Sequence, residues 1–194
     1  MGIFDFLKKK EKPKPYPMEM HSLAKDATKF GGAKEWEKCI TTMNEVPPEN
    51  MTISDWWTLG YAYSNTGDLQ SALLAWEKSL RGNLLMDTSF YKGVQNESIA
   101  EIILVLLGGQ KANTLPMVNC ATLYNYSWAL FNLKRYQEAL WCLDYVLRFT
   151  PKDTDALYLR GRLGGMQLTN SPKTPLEASM ILSAWKEWQK QRHE

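Results

Sequence analysis

Histidine is almost missing from this chain: His21 and His193 are the only two, and neither has a Cys, His or carboxylate nearby at metal-ligand spacing. Cysteine is scarce and odd in number. Cys39, Cys120 and Cys142 form neither a CxxC pair nor the even set of a disulfide framework, so a reducing compartment is expected. Phosphate-cradling loops of the G-x-x-x-x-G-K-[ST] or G-x-G-x-x-G type are absent too, and Gly108-Gly109 and Gly164-Gly165 read as helix ends. Without a positioned acid, base, nucleophile, metal or cofactor motif, no enzymatic activity is expected, and neither a metal nor a cofactor. Long apolar runs are also lacking, since none approaches the roughly 18 residues of a membrane span.

What the chain does have is aromatic surface and an uneven charge distribution. Eight Trp and nine Tyr in 194 residues are a heavy load, and such side chains either fill a core or supply rigid contact area at an interface. The formal net charge is +2, but residues 1–15 hold five Lys against Asp5 and Glu11, leaving 18 basic and 19 acidic residues elsewhere. Lys8-Lys9-Lys10-Glu11-Lys12-Pro13-Lys14-Pro15-Tyr16-Pro17 is charged and Pro-rich, which favours an extended, solvated segment. Residues 1–17 are therefore read as a basic tail and residues 18–194 as one folded domain. The lysines follow the apolar stretch Ile3 to Leu7, the reverse of a secretory signal, so a cytoplasmic location is expected.

Within the domain, apolar residues recur at three- and four-residue spacing over 55–65, 69–81, 120–132, 136–149, 154–164 and 176–191, which predicts helices there. No clean strand alternation competes. Helix-stopping chemistry sits between them, at Gly31-Gly32, Pro47-Pro48, Thr66-Gly67-Asp68, Gly108-Gly109, Pro116, Pro151 and Ser171-Pro172. The result is an all-α chain of helix pairs joined by short turns.

Trp56, Leu59, Gly60 and Tyr63 stand as W-x2-L-G-x2-Y, followed by Gly67, Ala72 and Trp76. A second copy runs through Leu123, Tyr126, Ser127, Leu130, Tyr136, Ala139, Leu143 and Pro151. The pattern resembles the tetratricopeptide repeat, in which Gly60 and Ala72 would let two helices approach closely and Gly67 would allow the sharp turn. Ala72 and Ala139 are 67 residues apart, one short of two 34-residue periods, so residues 86–119 occupy a repeat-sized slot and are either a degenerate repeat or an insertion. Upstream, Trp36, Cys39, Met43 and Val46 suit the second helix of a first repeat. Downstream, Leu157, Gly161, Ala178, Leu182 and Trp185 suit a final pair with a longer linker. The resemblance implies a right-handed superhelical stack of about four to five antiparallel helix pairs.

The resemblance also implies a function, because the first helix of each such repeat lines a concave face that holds a peptide or helix of a partner protein. The groove-facing places fall on Ser54, Trp57, Tyr61 and Asn65, then Ala121, Tyr124, Trp128 and Asn132, then Asp155, Tyr158 and Arg162. With Tyr91 from the middle unit, Trp57, Tyr61, Tyr124, Trp128 and Tyr158 would form an aromatic row of the kind that anchors partners, beside Asn65, Asn132 and Arg162. The same aromatics become core if residues 86–119 pack into the groove. Some members of the family clamp chaperone C-termini with Lys and Asn residues. Here Asn125 matches one such place, but Trp57, Tyr61, Asp155 and Leu159 stand at the others, so that ligand is not implied.

Membrane surfaces and nucleic acids are the other partner classes a chain of this composition could meet. Ile3, Phe4, Phe6 and Leu7 followed by lysines would allow residues 1–14 a weak peripheral contact with a membrane surface, which makes a membrane-associated assembly factor the alternative reading. Gly2 does not begin a myristoylation motif, since Phe6 stands where Ser or Thr belongs. Nucleic acid is disfavoured because the domain is near neutral, with its Lys and Arg scattered.

Overall fold

The computed structural model describes residues 18–84, 97–109 and 119–191, and every regular element among them is helical. The order is α1 (Met18–Gly32), α2 (Trp36–Asn44), a 3-10 turn (Pro48–Asn50), α3 (Ile53–Thr66), α4 (Leu69–Leu84), α5 (Ile99–Gly108), α6 (Cys120–Asn132), α7 (Tyr136–Phe149), α8 (Thr154–Leu163) and α9 (Pro175–Gln191). Helix α1 has no counterpart among the expected elements; it is the partner that the expected second helix at Trp36 requires. None of these helices is long and apolar enough to cross a membrane.

Local chemistry sets the helix starts. Thr52 and Asp55 close a capping box on α3, with the Asp55 amide donating to Thr52 Oγ1 at 3.2 Å and the Thr52 amide donating to Asp55 Oδ2 at 2.8 Å. Ser98 and Glu101 repeat the arrangement on α5, while Asn119 and Asp153 cap α6 and α8 by accepting from Thr122 and Ala156. The cap on α3 starts that helix two residues ahead of the expected span at 55, while those on α6 and α8 fall at the expected starts, 120 and 154.

Three helix pairs, α1/α2, α3/α4 and α6/α7, turn in the same way. Lys34, Gly67 and Lys134 occupy the left-handed region at φ of 61°, 86° and 62°. The next residue's amide donates five positions back in each case: Glu35 to Phe30 at 2.9 Å, Asp68 to Tyr63 at 3.0 Å and Arg135 to Leu130 at 2.9 Å. That is the Schellman ending of a helix, and the same carbonyls of Glu35, Asp68 and Arg135 then accept the first bond of the following helix, from Cys39, Ala72 and Ala139. Glycine suits the conformation best; the two lysines carry its strain.

Behind each turn the paired helices bury small residues: Ala27 and Cys39, Gly60 and Ala72, Ser127 and Ala139. At Gly60 the approach leaves no room, since a Cβ there would lie 2.5 Å from the Trp76 indole. Ser127 fits because Leu143 stands at the place equivalent to Trp76, and its hydroxyl donates to the Leu123 carbonyl at 2.6 Å.

The middle segment does not sit between these pairs as a repeat would. Helix α4 packs directly on α6, and α5 packs instead on α7 and α9. The only described part of 86–119 is thus an insertion laid against the second helix of the third pair. Its sequence, Ile-Ala-Glu-Ile-Ile-Leu-Val-Leu-Leu-Gly, is apolar on all sides, and every residue but Val105 is buried. Gly108 lets α9 close over it: a Cβ there would lie 2.6 Å from both the Ala178 Cβ and the Thr174 carbonyl oxygen. Of the two readings left open for 86–119, the packing of described residues 97–109 favours the insertion. One expectation is corrected: α8 and α9 are not a final pair, because α9 takes α5 as its main neighbour while α8 packs on α7.

Candidate functional site

The outward face of α3 carries Ser54, Trp57, Tyr61 and Asn65 at the spacing of one helix face, and all four are exposed. Trp57 and Tyr61 stack with ring centroids 5.7 Å apart and planes 12° apart. Trp36, at the start of α2, sets its edge against Tyr61 at 5.7 Å and 72°. The expected row lacks Trp36, because the repeat pattern puts it in a second helix, away from the groove; it reaches the row because the turn at Lys34 starts α2 beside α3. Asn65 donates from Nδ2 to the Tyr61 carbonyl at 2.8 Å, which holds its amide against the helix.

On α6 the same pattern recurs with a different burial. Ala121 and Asn132 are exposed, but Tyr124 and Trp128 are half-buried and pack against the main core. Asn132 donates to the Trp128 carbonyl at 2.8 Å, the same bond that Asn65 makes on α3. Burial, and then the fields of Asp155 and Asp153, push the Tyr124 phenol above its ordinary range. On α8, Asp155, Tyr158 and Arg162 are exposed, Tyr158 at 69%. Arg162 lies 4.7 Å from the centre of the Phe131 ring, so its cation is held on an aromatic face at the end of α6. Tyr91 lies outside the described residues. Among those described, no ring contact joins Trp57 and Tyr61 to Tyr124 and Trp128; the row comprises two aromatic groups.

The electrical character of this face follows from composition. The single charged residue of α3 is Asp55, buried in its own capping box, and α6 contains none. Aromatic rings and carboxamides therefore dominate the surface, and a ligand there meets apolar area and hydrogen-bonding groups rather than ions.

Elsewhere a concavity of about 1100 Å³ lies between the start of α7, the α8–α9 connection and α9. Trp141, Trp185, Trp188, Met180 and Leu168 line it together with Lys134 and Arg135. Trp185 meets Trp141 edge-on at 5.3 Å and stacks on Trp188 at 4.7 Å, while the Nε1 atoms of Trp141 and Trp185 are buried without a hydrogen-bond partner. Its signal in the sequence is the four-residue spacing of Leu176, Met180, Ala184 and Trp188, a second apolar stripe on α9 that the core does not cover.

Burial pushes the Cys142 thiol well above its ordinary range and outweighs its hydrogen bond with Ser127; Cys39 and Cys120 are raised for the same reason. Arg135 and the buried Glu138 neutralise each other, with Nε 2.7 Å from Oε2. Among the described residues no three His, Cys, Asp or Glu side chains gather where they could hold a metal ion. Compared with protein-family models and with curated proteins, the chain matches none.

Proposed function

We propose that this chain is a tetratricopeptide-like adaptor that holds a segment of another protein on the aromatic face carried by α3 and α6. The observation that carries the reading is the recurrence of ring, ring and carboxamide at Trp57, Tyr61, Asn65 and again at Tyr124, Trp128, Asn132, at equivalent places of two helix pairs that share one turn geometry. Rings of this size bury much area for little lost side-chain freedom, which is why they anchor interfaces. Stacking the pairs as a superhelix would curve these first helices into one concave wall. The protein acts by binding, without catalysis of its own, and its partner meets a neutral surface, so binding depends little on salt.

The test is site-specific photo-cross-linking in the native cell, with benzoylphenylalanine at Tyr61, at Tyr124 and, as a control, at Leu74, which is exposed on α4. The same partner should be captured from Tyr61 and Tyr124 and not from Leu74. Equal capture from all three positions, or none from the first two, would exclude this face as the binding surface.

A further inference from the structure

We propose that a second copy of this chain lays the outer stripe of its α9 along α8, in the place of the second helix that α8 lacks. This contact uses none of the residues of the binding face proposed above.

The repeat identifies the bare side of α8. Leu157, Arg160, Gly161 and Gly164 stand 34 residues beyond Leu123, Tyr126, Ser127 and Leu130, which are all buried in the pair α6/α7. On α3 the corresponding Trp56, Leu59, Gly60 and Tyr63 are buried or half-buried in the pair α3/α4. On α8 all four are exposed, Leu157 at 48%. The cause is the path of α9, which leaves α8 to close over α5. Gly161 is the most informative of the four. Glycine inside an exposed helix is a poorer helix former than alanine, and apart from its own helix nothing lies within 4 Å of the Gly161 Cβ position. On α3 the same place is a glycine because the Trp76 indole presses on it.

The matching surface is on α9. On the helix that covers Gly60, Trp76 follows the buried Ala72 by four residues, and on α9 Trp188 follows Ala184 by four. Ala184 and Trp188 are exposed, as are Leu176 and Met180 on the same stripe. Laid antiparallel on α8 in the register of α4 on α3, Trp188 would cover Gly161, and Ala184, one turn away, would lie over Gly164. Met180 would then pass the end of α8, where Met166 is exposed. Arg160 brings no bare charge into the contact, because its Nε already donates to Asp144 Oδ1 at 2.5 Å. Within one chain α9 does not turn this stripe to α8, since Ala178 on its opposite side is buried against Gly108. A second copy supplies the stripe, and the burial of Leu157, Met180 and Trp188 drives the association.

Light scattering of the full chain should give a mass of at least twice 22.3 kDa. Gly161→Gln fills the empty place on α8 with a better helix former, and Ala184→Arg puts a charge into the stripe of α9. Each variant alone should scatter as a monomer while keeping the parent's helical circular dichroism. Leu157→Gln, a change at an exposed side chain, should act as Gly161→Gln does. Mixed in equal amounts, Gly161→Gln and Ala184→Arg should form a species of twice the chain mass and no larger, because the first keeps its α9 stripe and the second its α8 face. A monomeric parent overturns the proposal, as does a variant that still associates. Loss of association in both variants with no recovery on mixing overturns it in favour of a contact between like surfaces.

Discussion

The pairs α3/α4 and α6/α7 share a turn, a register and a motif, and yet they solve the same packing problem with different residues. Where the first presses Gly60 against Trp76, the second has Ser127 and Leu143 at the equivalent places, both buried. Small against very large has become medium against medium, with the Ser hydroxyl satisfied by the Leu123 carbonyl. The turns differ in the same spirit: Gly67 adopts its positive φ freely, whereas Lys134 holds a similar φ at a cost. The lesson is that the backbone path is what the repeat preserves, and that volume is conserved across a contact rather than at a position.

That comparison can be broken at the helix contact. Gly60→Ser should destabilise the domain by about 2–3 kcal/mol, because its Cβ enters the Trp76 indole. Trp76→Leu should cost about the same by leaving a void in a fully buried site. The double variant reproduces the second pair's solution, so urea unfolding should show it losing at least about 1 kcal/mol less than the sum of the singles. Strict additivity would show that the two pairs do not share a packing rule.

The two aromatic groups sharpen it. Trp128 is half-buried against the main core and Trp57 is 38% exposed, so Trp128→Ala should cost about 2 kcal/mol and Trp57→Ala under about 1 kcal/mol by the same measurement. Both substitutions should weaken partner capture. A stability cost at Trp57 equal to that at Trp128 would mean that the α3 rings serve the core as well.

The smallest effect is at the turns. Lys134→Gly should stabilise by roughly 0.5 kcal/mol, as relief of the left-handed strain exceeds the entropy that Gly adds to the unfolded chain, and Gly67→Lys should destabilise by about 1 kcal/mol. Thermal melts of the two variants moving in the same direction would contradict the shared turn geometry.

Most helices were legible because their periodicity is local: the expected spans at 120–132 and 136–149 match α6 and α7 residue for residue. Helix α1 was not, since its few apolar residues are spread thinly and its place is confirmed only by packing on α2 and α3. The role of Ser98 to Gly108 was open for a related reason: a helix apolar on every side has no face that says which neighbours it takes. Of the candidate site, the face positions on α3 and α6 could be counted out from the motif. Trp36 could not, because it belongs to a second helix and joins Tyr61 only across a repeat boundary.

By itself, then, the sequence determined the helices, their breaks and the phase of the repeated pair, because caps, turn residues and apolar spacing act over a few neighbouring residues. Only the tertiary structure decided that α4 meets α6 directly, that α5 lies between α7 and α9, and that the rings of α3 stay exposed while those of α6 are half-covered. Those outcomes depend on which apolar surfaces bury one another across long stretches of chain, and burial is a property of the whole assembly of helices rather than of any one segment.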